Sequence, residues 1–142
     1  MDEYSRKCLF VDAKRTYKAK ALVESLKYLV QAYGCPRYIR CDNGPELVSK
    51  QMEKFCKTNQ IEIRFTQPGK PMQNGLVERL NGTIRTECLN LKIFKTIPDI
   101  QKDLDEWWNS YNFGRPHSAL KGKTPQMLWA KQDYRQSRMV AA

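Results

Sequence analysis

No run of apolar residues in this sequence approaches the ~20 needed for a membrane-spanning helix, so no transmembrane span is expected. The opening, "MDEYSRKCLF", lacks the basic segment and long apolar stretch of a secretory signal. There is no C-x-x-C pair, and the five cysteines (Cys8, Cys35, Cys41, Cys56 and Cys88) are scattered and odd in number. That pattern argues against a disulfide framework or a zinc site and for a reducing compartment. The expected location is cytoplasmic. Internal repeats are absent, and 142 residues suit one domain. Acidic side chains are scarce: 15 Asp and Glu stand against 25 Lys and Arg, a formal net charge of +10. Such an excess favours a polyanionic partner, nucleic acid first. The alternative is a basic surface that serves solubility alone.

The apolar residues, 41% of the chain when cysteine and the aromatics are included, are spaced as strands alternating with helices, which places the chain in the α/β class. Residues 7–12, "KCLFVD", read as a short, largely buried strand. Ala19, Leu22, Val23, Leu26, Leu29, Val30 and Tyr33 recur at helical spacing, with Gly34 as the residue that ends the helix and Pro36 beyond it. Residues 37–41 read as a second strand, 45–58 as a helix burying Met52, Phe55 and Cys56, and 61–65 as a half-exposed strand. A Pro- and Gly-punctuated loop, "QPGKPMQN", covers 67–74. Further helices are expected from 75 to about 90, over 97–111, and from Thr124 as N-cap to about 134. Residues 136–142 are expected to fray.

The second strand runs into "CDNGPE" at 41–46. Taken alone this is ordinary turn chemistry, since Asn43 and Gly44 tolerate positive φ and Asp42 can hydrogen-bond its own backbone. The sharper reading is a carboxylate set at a strand end to hold a metal ion. The helix "GLVERLNGTIRTECLN" adds weight to it. At ~100° per residue, Glu78, Asn81, Gly82 and Arg85 share one narrow arc, and Leu76, Val77, Leu80, Thr83 and Ile84 take the other side. Gly82 costs ~1 kcal/mol relative to Ala in a helix interior, as if something approaches the backbone there. Glu87 breaks the pattern. Either the helix ends or bends before it, or it has a buried partner. An Asp closing a strand, then 35 residues, then a helical Glu followed by "RLN" is rarer than either piece.

With "DEYSR" at 2–6, "DNGPE" at 42–46, "PGKPMQNGLVERLNGTIRTECLN" at 68–90 and "YNFGRPHSALKGKTPQMLW" at 111–129, the chain closely resembles the catalytic core of bacterial insertion-sequence transposases. More distantly it resembles retroviral integrases; both belong to the DDE group. The blocks occur in the family's order and cover nearly the whole chain. The resemblance implies an RNase H-like integrase core over 1–135, including C-terminal helices from about 97 and lacking the first strand and most of the second. It implies DNA transposition or integration by metal-dependent phosphodiester cleavage and strand transfer, with a two-ion site for Mg²⁺ (or Mn²⁺).

By that correspondence Asp42 and Glu78 are the second and third carboxylates of the triad, both catalytic and metal-binding. Asn43 and Gly44 shape the turn that presents Asp42. Lys70, Asn81 and Arg85 are candidate DNA-phosphate contacts, with a solvated side chain as the alternative for each. The first Asp has no counterpart, because neither Asp2 nor Asp12 lies at the matching position. The expectation is a chain that folds poorly alone and neither cuts nor joins DNA. The implied partners are DNA, as element ends and target, and a second copy or a full-length transposase.

A function of another class is a non-catalytic DNA-binding remnant that interferes with full-length transposase. A ribonuclease H proper shares the fold, but the "YN…RPH…TP" tail resembles transposases. His117, the only histidine, is expected to pack or cap, with DNA contact as the alternative. Trp107, Trp108 and Tyr111 are read as core in preference to base-stacking platforms. The cysteines are read as buried fillers.

Overall fold

In the computed structural model, which describes residues 1–67, 75–130 and the backbone of 138–140, the apolar stripe after residue 18 forms helix α1 (Ala19–Tyr33). Gly34 ends it, with φ of 83° and its N–H bonded to Val30 O at 2.9 Å. This is the left-handed position at which glycine carries no Cβ penalty. Strand β1 (Tyr38–Cys41), helix α2 (Lys50–Thr58), strand β2 (Glu62–Phe65), helix α3 (Gly75–Ile84), helix α4 (Ile97–Asn109), helix α5 (Pro125–Trp129) and strand β3 (Arg138–Val140) follow. Helix α2 begins later than its sequence suggests. Residues 45–48 are spent on a turn in which Gly44 O accepts from Leu47 and Val48, and the Ser49 hydroxyl caps the helix by accepting from Met52 N–H. Thr96 and Asp99 form a reciprocal capping box that starts α4. No described helix is long and apolar enough to cross a membrane.

Among the described residues the strands form one sheet, in the order β2-β1-β3, with both pairings parallel. Tyr38 pairs with Glu62 and Cys41 with Phe65 on one side; Tyr38 pairs with Arg138 and Arg40 with Val140 on the other. Residues 138–140, expected within a frayed tail, are therefore a strand. Tyr38 and Ile39 are buried, and a buried backbone needs partners along both edges. The C-terminal strand supplies them on the edge that β2 leaves open.

Residues 7–12 depart from expectation in the opposite sense. They are assigned to no strand, and side chains, not a neighbouring strand, satisfy part of their backbone. Cys8 N–H donates to Asn112 Oδ1 at 2.9 Å, and Cys8 O accepts from Asn112 Nδ2 at 2.9 Å and from Trp108 Nε1 at 2.6 Å. Gln101 accepts from Ala13 N–H at 2.9 Å and donates to Val11 O. The partners lie about 100 positions away, on α4 and the segment after it.

This segment divides two cores. Leu9 joins Leu26, Leu29, Ile39, Met52 and Phe55 between α1, α2 and the sheet. Cys8 joins Leu80, Ile84, Leu104, Trp107 and Tyr111 between α3 and α4. Trp107 and Tyr111 stack at 4.9 Å, and the His117 ring stands edge-on to Tyr111 while its Nε2 bonds Tyr111 O at 3.2 Å. Trp108 is half-buried against the same cluster. Of the cysteines, Cys35 is exposed, contrary to expectation, because it follows the helix end at Gly34; the other four are buried.

Candidate functional site

Strand β1 ends at Cys41, whose carbonyl accepts from Thr66 N–H at 2.9 Å and from the Thr66 hydroxyl at 3.1 Å. Asp42 is the next residue and is exposed. Its Oδ1 accepts from Gly44 N–H at 2.8 Å, and Asn43 Nδ2 donates to Thr66 O at 3.2 Å, which ties the turn to the end of β2. The turn needs no left-handed residue: neither Asn43 nor Gly44 has positive φ. A Cβ at Gly44 would lie 3.0 Å from Asp42 Oδ1 and 3.0 Å from Glu46 Oε1. Two carboxylates thus crowd one glycine, and Glu46 was not singled out by its sequence context.

Helix α3 presents Glu78 from its first turn. Val77, Leu80 and Ile84 are buried, whereas Glu78, Asn81, Gly82 and Arg85 are exposed, the split that helical periodicity predicts. A Cβ at Gly82 would meet nothing within 4 Å, so that stretch of backbone is open to a ligand. Neither Asp42 nor Glu78 is ion-paired among the described residues. Asn81 and Arg85 make no side-chain hydrogen bond there, and Lys70 lies outside the described residues.

A cavity of about 330 Å³ separates the two acidic elements. Ile39, Glu46 and Leu47 wall it from the β1 side and Val77, Leu80, Asn81 and Ile84 from α3. Glu46 and Asn81 line this space from the two elements, and Asp12, Tyr17 and Ser25 are among its other polar lining residues; Asp42 and Glu78 are not part of its lining. No group of three or more His, Cys, Asp or Glu able to hold a metal occurs among the described residues. Asp42 and Glu78 are exposed carboxylates from a strand end and a helix face, without a Lys or Arg ion pair among the described residues, and carboxylate oxygen is the donor type that hard cations take. The other acids raised by the sequence have partners of their own, although Asp12 lines the same cavity. Asp2 is buried and accepts from Ser5 N–H and Oγ at 2.7 Å, and Asp12 pairs with Lys14 at 2.8 Å.

Glu87 resolves in both of the expected ways. The α-helix widens into a π-helical turn over Arg85–Leu89, which rotates Glu87 off the regular face, and its carboxylate then accepts from Trp107 Nε1 at 3.1 Å and pairs with Arg115. Burial pushes this carboxyl up, but the Arg115 and Trp107 hydrogen bonds outweigh it and hold it below its ordinary value of 4.5.

Two profiles described as integrase core domain match the chain, one over residues 1–71 and the other over 59–125. An uncharacterized 31.7 kDa protein of insertion element IS407 from Burkholderia multivorans is 36% identical over 115 residues, covering 81% of this chain and 40% of that protein. An uncharacterized 39.2 kDa protein of insertion element IS476 from Xanthomonas euvesicatoria is 31% identical over 130 residues, covering 92% and 37%. This chain therefore spans about two fifths of the length of these relatives. Among solved structures, the HTLV-2 integrase catalytic core domain in complex with magnesium superimposes with a TM-score of 0.58 at 23% identity, covering 82% of this chain and 72% of that one. The BIV integrase catalytic core domain does so with a TM-score of 0.63 at 23% identity, covering 80% and 72%.

Proposed function

Because the chain belongs to the integrase core domain family and carries the RNase H-like fold of integrase catalytic cores, we propose that Asp42 and Glu78 form part of a divalent-cation site for phosphodiester chemistry on DNA, in transposition or integration. The observation that carries this is the pair itself: a strand-end Asp and an exposed helical Glu, with 35 residues between them in sequence and without a cationic partner among the described residues. Bound Mg²⁺ or Mn²⁺ would supply Lewis acidity to the attacking and leaving oxygens. The chain's own part is to present the ligands. Asp42 offers the oxygen that Gly44 N–H does not hold, and Asn43 and Gly44 fix the turn against β2. Asn81 and Arg85 extend the same exposed face of α3 as Glu78 and are placed to touch the DNA backbone, Arg85 as a charged donor and Asn81 as a neutral one.

On this reading the chain binds a divalent cation through Asp42 and Glu78 and DNA through its basic surface. The test is Mn²⁺ titration followed by paramagnetic broadening of amide resonances. Broadening centred on residues 41–46 and 75–81 is expected, reduced at least tenfold in apparent affinity by Asp42→Asn or Glu78→Gln. Broadening that survives both substitutions sinks the assignment. A DNA-binding role without catalysis, including interference with a full-length transposase, is supported by the net charge of +10. It differs in predicting DNA affinity indifferent to divalent cations.

A further inference from the structure

A second cavity, of about 280 Å³, lies on the other side of α3. Three segments wall it: the N-terminal turn through Arg6; α3 through Leu76, Arg79 and Thr83; and the segment after α4 through Tyr111, Arg115 and His117. Three of these side chains are guanidinium groups from three separate elements, and no carboxylate is among the described lining residues. Arg115 is paired with Glu87, which compensates one charge. Arg6 and Arg79 have no ion-pair partner among the described residues.

Arg6 has two further unusual features. Its Nη1 is buried without a hydrogen-bond partner, an arrangement native structures rarely leave unexplained. Its φ is 63°, in the left-handed region that costs a non-glycine residue free energy. The surroundings enforce that conformation: Arg6 N–H donates to Asp2 O at 3.0 Å, and Arg6 O accepts from the Tyr111 hydroxyl at 3.3 Å. The Tyr111 carbonyl in turn takes His117 Nε2 at 3.2 Å. Hydrogen bonds thus fix two of the walls to each other.

We propose that this pocket binds a phosphate group of a DNA backbone, held by Arg6 and Arg79 with Arg115 at its edge. A phosphodiester suits it because each guanidinium offers a planar fork of donors to adjacent phosphate oxygens, and a single anion answers the two uncompensated charges together. The proposal shares with the metal-site reading only the identity of the polyanion. It needs neither Asp42 nor Glu78.

The experiment measures binding of a 20-base-pair duplex by fluorescence anisotropy in EDTA, so that no metal contributes, together with an amide titration using inorganic phosphate. Arg79→Gln alters an exposed helix residue and should leave the fold intact; Arg6→Gln is used with its fold checked by its amide spectrum. The double variant is expected to bind the duplex at least tenfold more weakly. Its log–log salt dependence should flatten by nearly 1 for each phosphate that the variant no longer neutralises. Lys54→Gln, an exposed cation on α2, should bind as the unaltered chain does. Inorganic phosphate should shift the amides of 79–83 and 115–119 in the unaltered chain and not in the double variant. Wild-type affinity and salt slope in a folded Arg79→Gln, Arg6→Gln chain overturn the proposal. Phosphate shifts without duplex binding overturn the DNA assignment and leave a free-anion site. Loss of Mn²⁺ binding at Asp42 and Glu78 with duplex binding retained would strike the metal reading and not this one.

Discussion

Single side chains here take on roles that their sequence neighbourhood hints at without naming. Glu87 is the clearest case. Its depressed carboxyl pKa means that the ionised form is favoured by folding, so its contribution to stability is present above the ordinary value of 4.5 and is lost as pH falls through the lower folded value. Glu87→Gln should therefore lower stability at neutral pH and flatten the acid limb of a denaturation-midpoint-against-pH curve. An unchanged acid limb would show that the Arg115 pair adds nothing. The misfit of Glu87 with the helical face was legible in the sequence, because 3.6-residue periodicity gives every position an azimuth. Its partners were not, since Trp107 and Arg115 lie 20 and 28 positions away. Gly44 teaches the converse. Its presence in a turn was legible and its neighbours were not: the approach of Asp42 and Glu46 depends on where two side chains end, and backbone preference says nothing of that.

At the scale of elements, helices were read more faithfully than strands. The stripe of α1 and the two faces of α3 follow from local spacing alone, and Gly34 marks a helix end by a property it carries itself. Residues 7–12 have the composition of a buried strand and the burial of one, but a strand is defined by its partners. Here the partner is Asn112, a fully buried side chain that gives Cys8 both of the bonds a neighbouring strand would have given. Asn112→Ala leaves Cys8 N–H unanswered in the core and Cys8 O with Trp108 alone, and a loss of about 1–3 kcal/mol in chemical denaturation is expected. A change below about 1 kcal/mol would mean that water takes over the pairing.

For the molecule as a whole, the parallel sheet depends on its two most distant pieces meeting. Strand β1 lies in the first third of the chain and β3 at its end, and only three residues of β3 are paired. Nothing in "RMV" foretells this, because so short a strand has no periodicity to read and its partner lies about 100 positions upstream. Removing residues 138–142 should uncover the β1 edge, and an open edge invites pairing between copies. Light scattering should then show concentration-dependent association absent from the full chain; a monomer at all concentrations would show that the edge is protected without β3. The basic cavity, too, is a property of the whole molecule. Its arginines come from positions 6, 79 and 115, and no window of sequence contains them together.

The alternation of Cys8 and Leu9 between the two cores has a mechanical consequence. Sliding this segment by one residue would send a leucine into the space shaped for a thiol and a thiol into the space shaped for a leucine, damaging both halves at once. The dipeptide therefore works as a key cut for two locks, and the chain can absorb extra length on either side of it far more readily than within it.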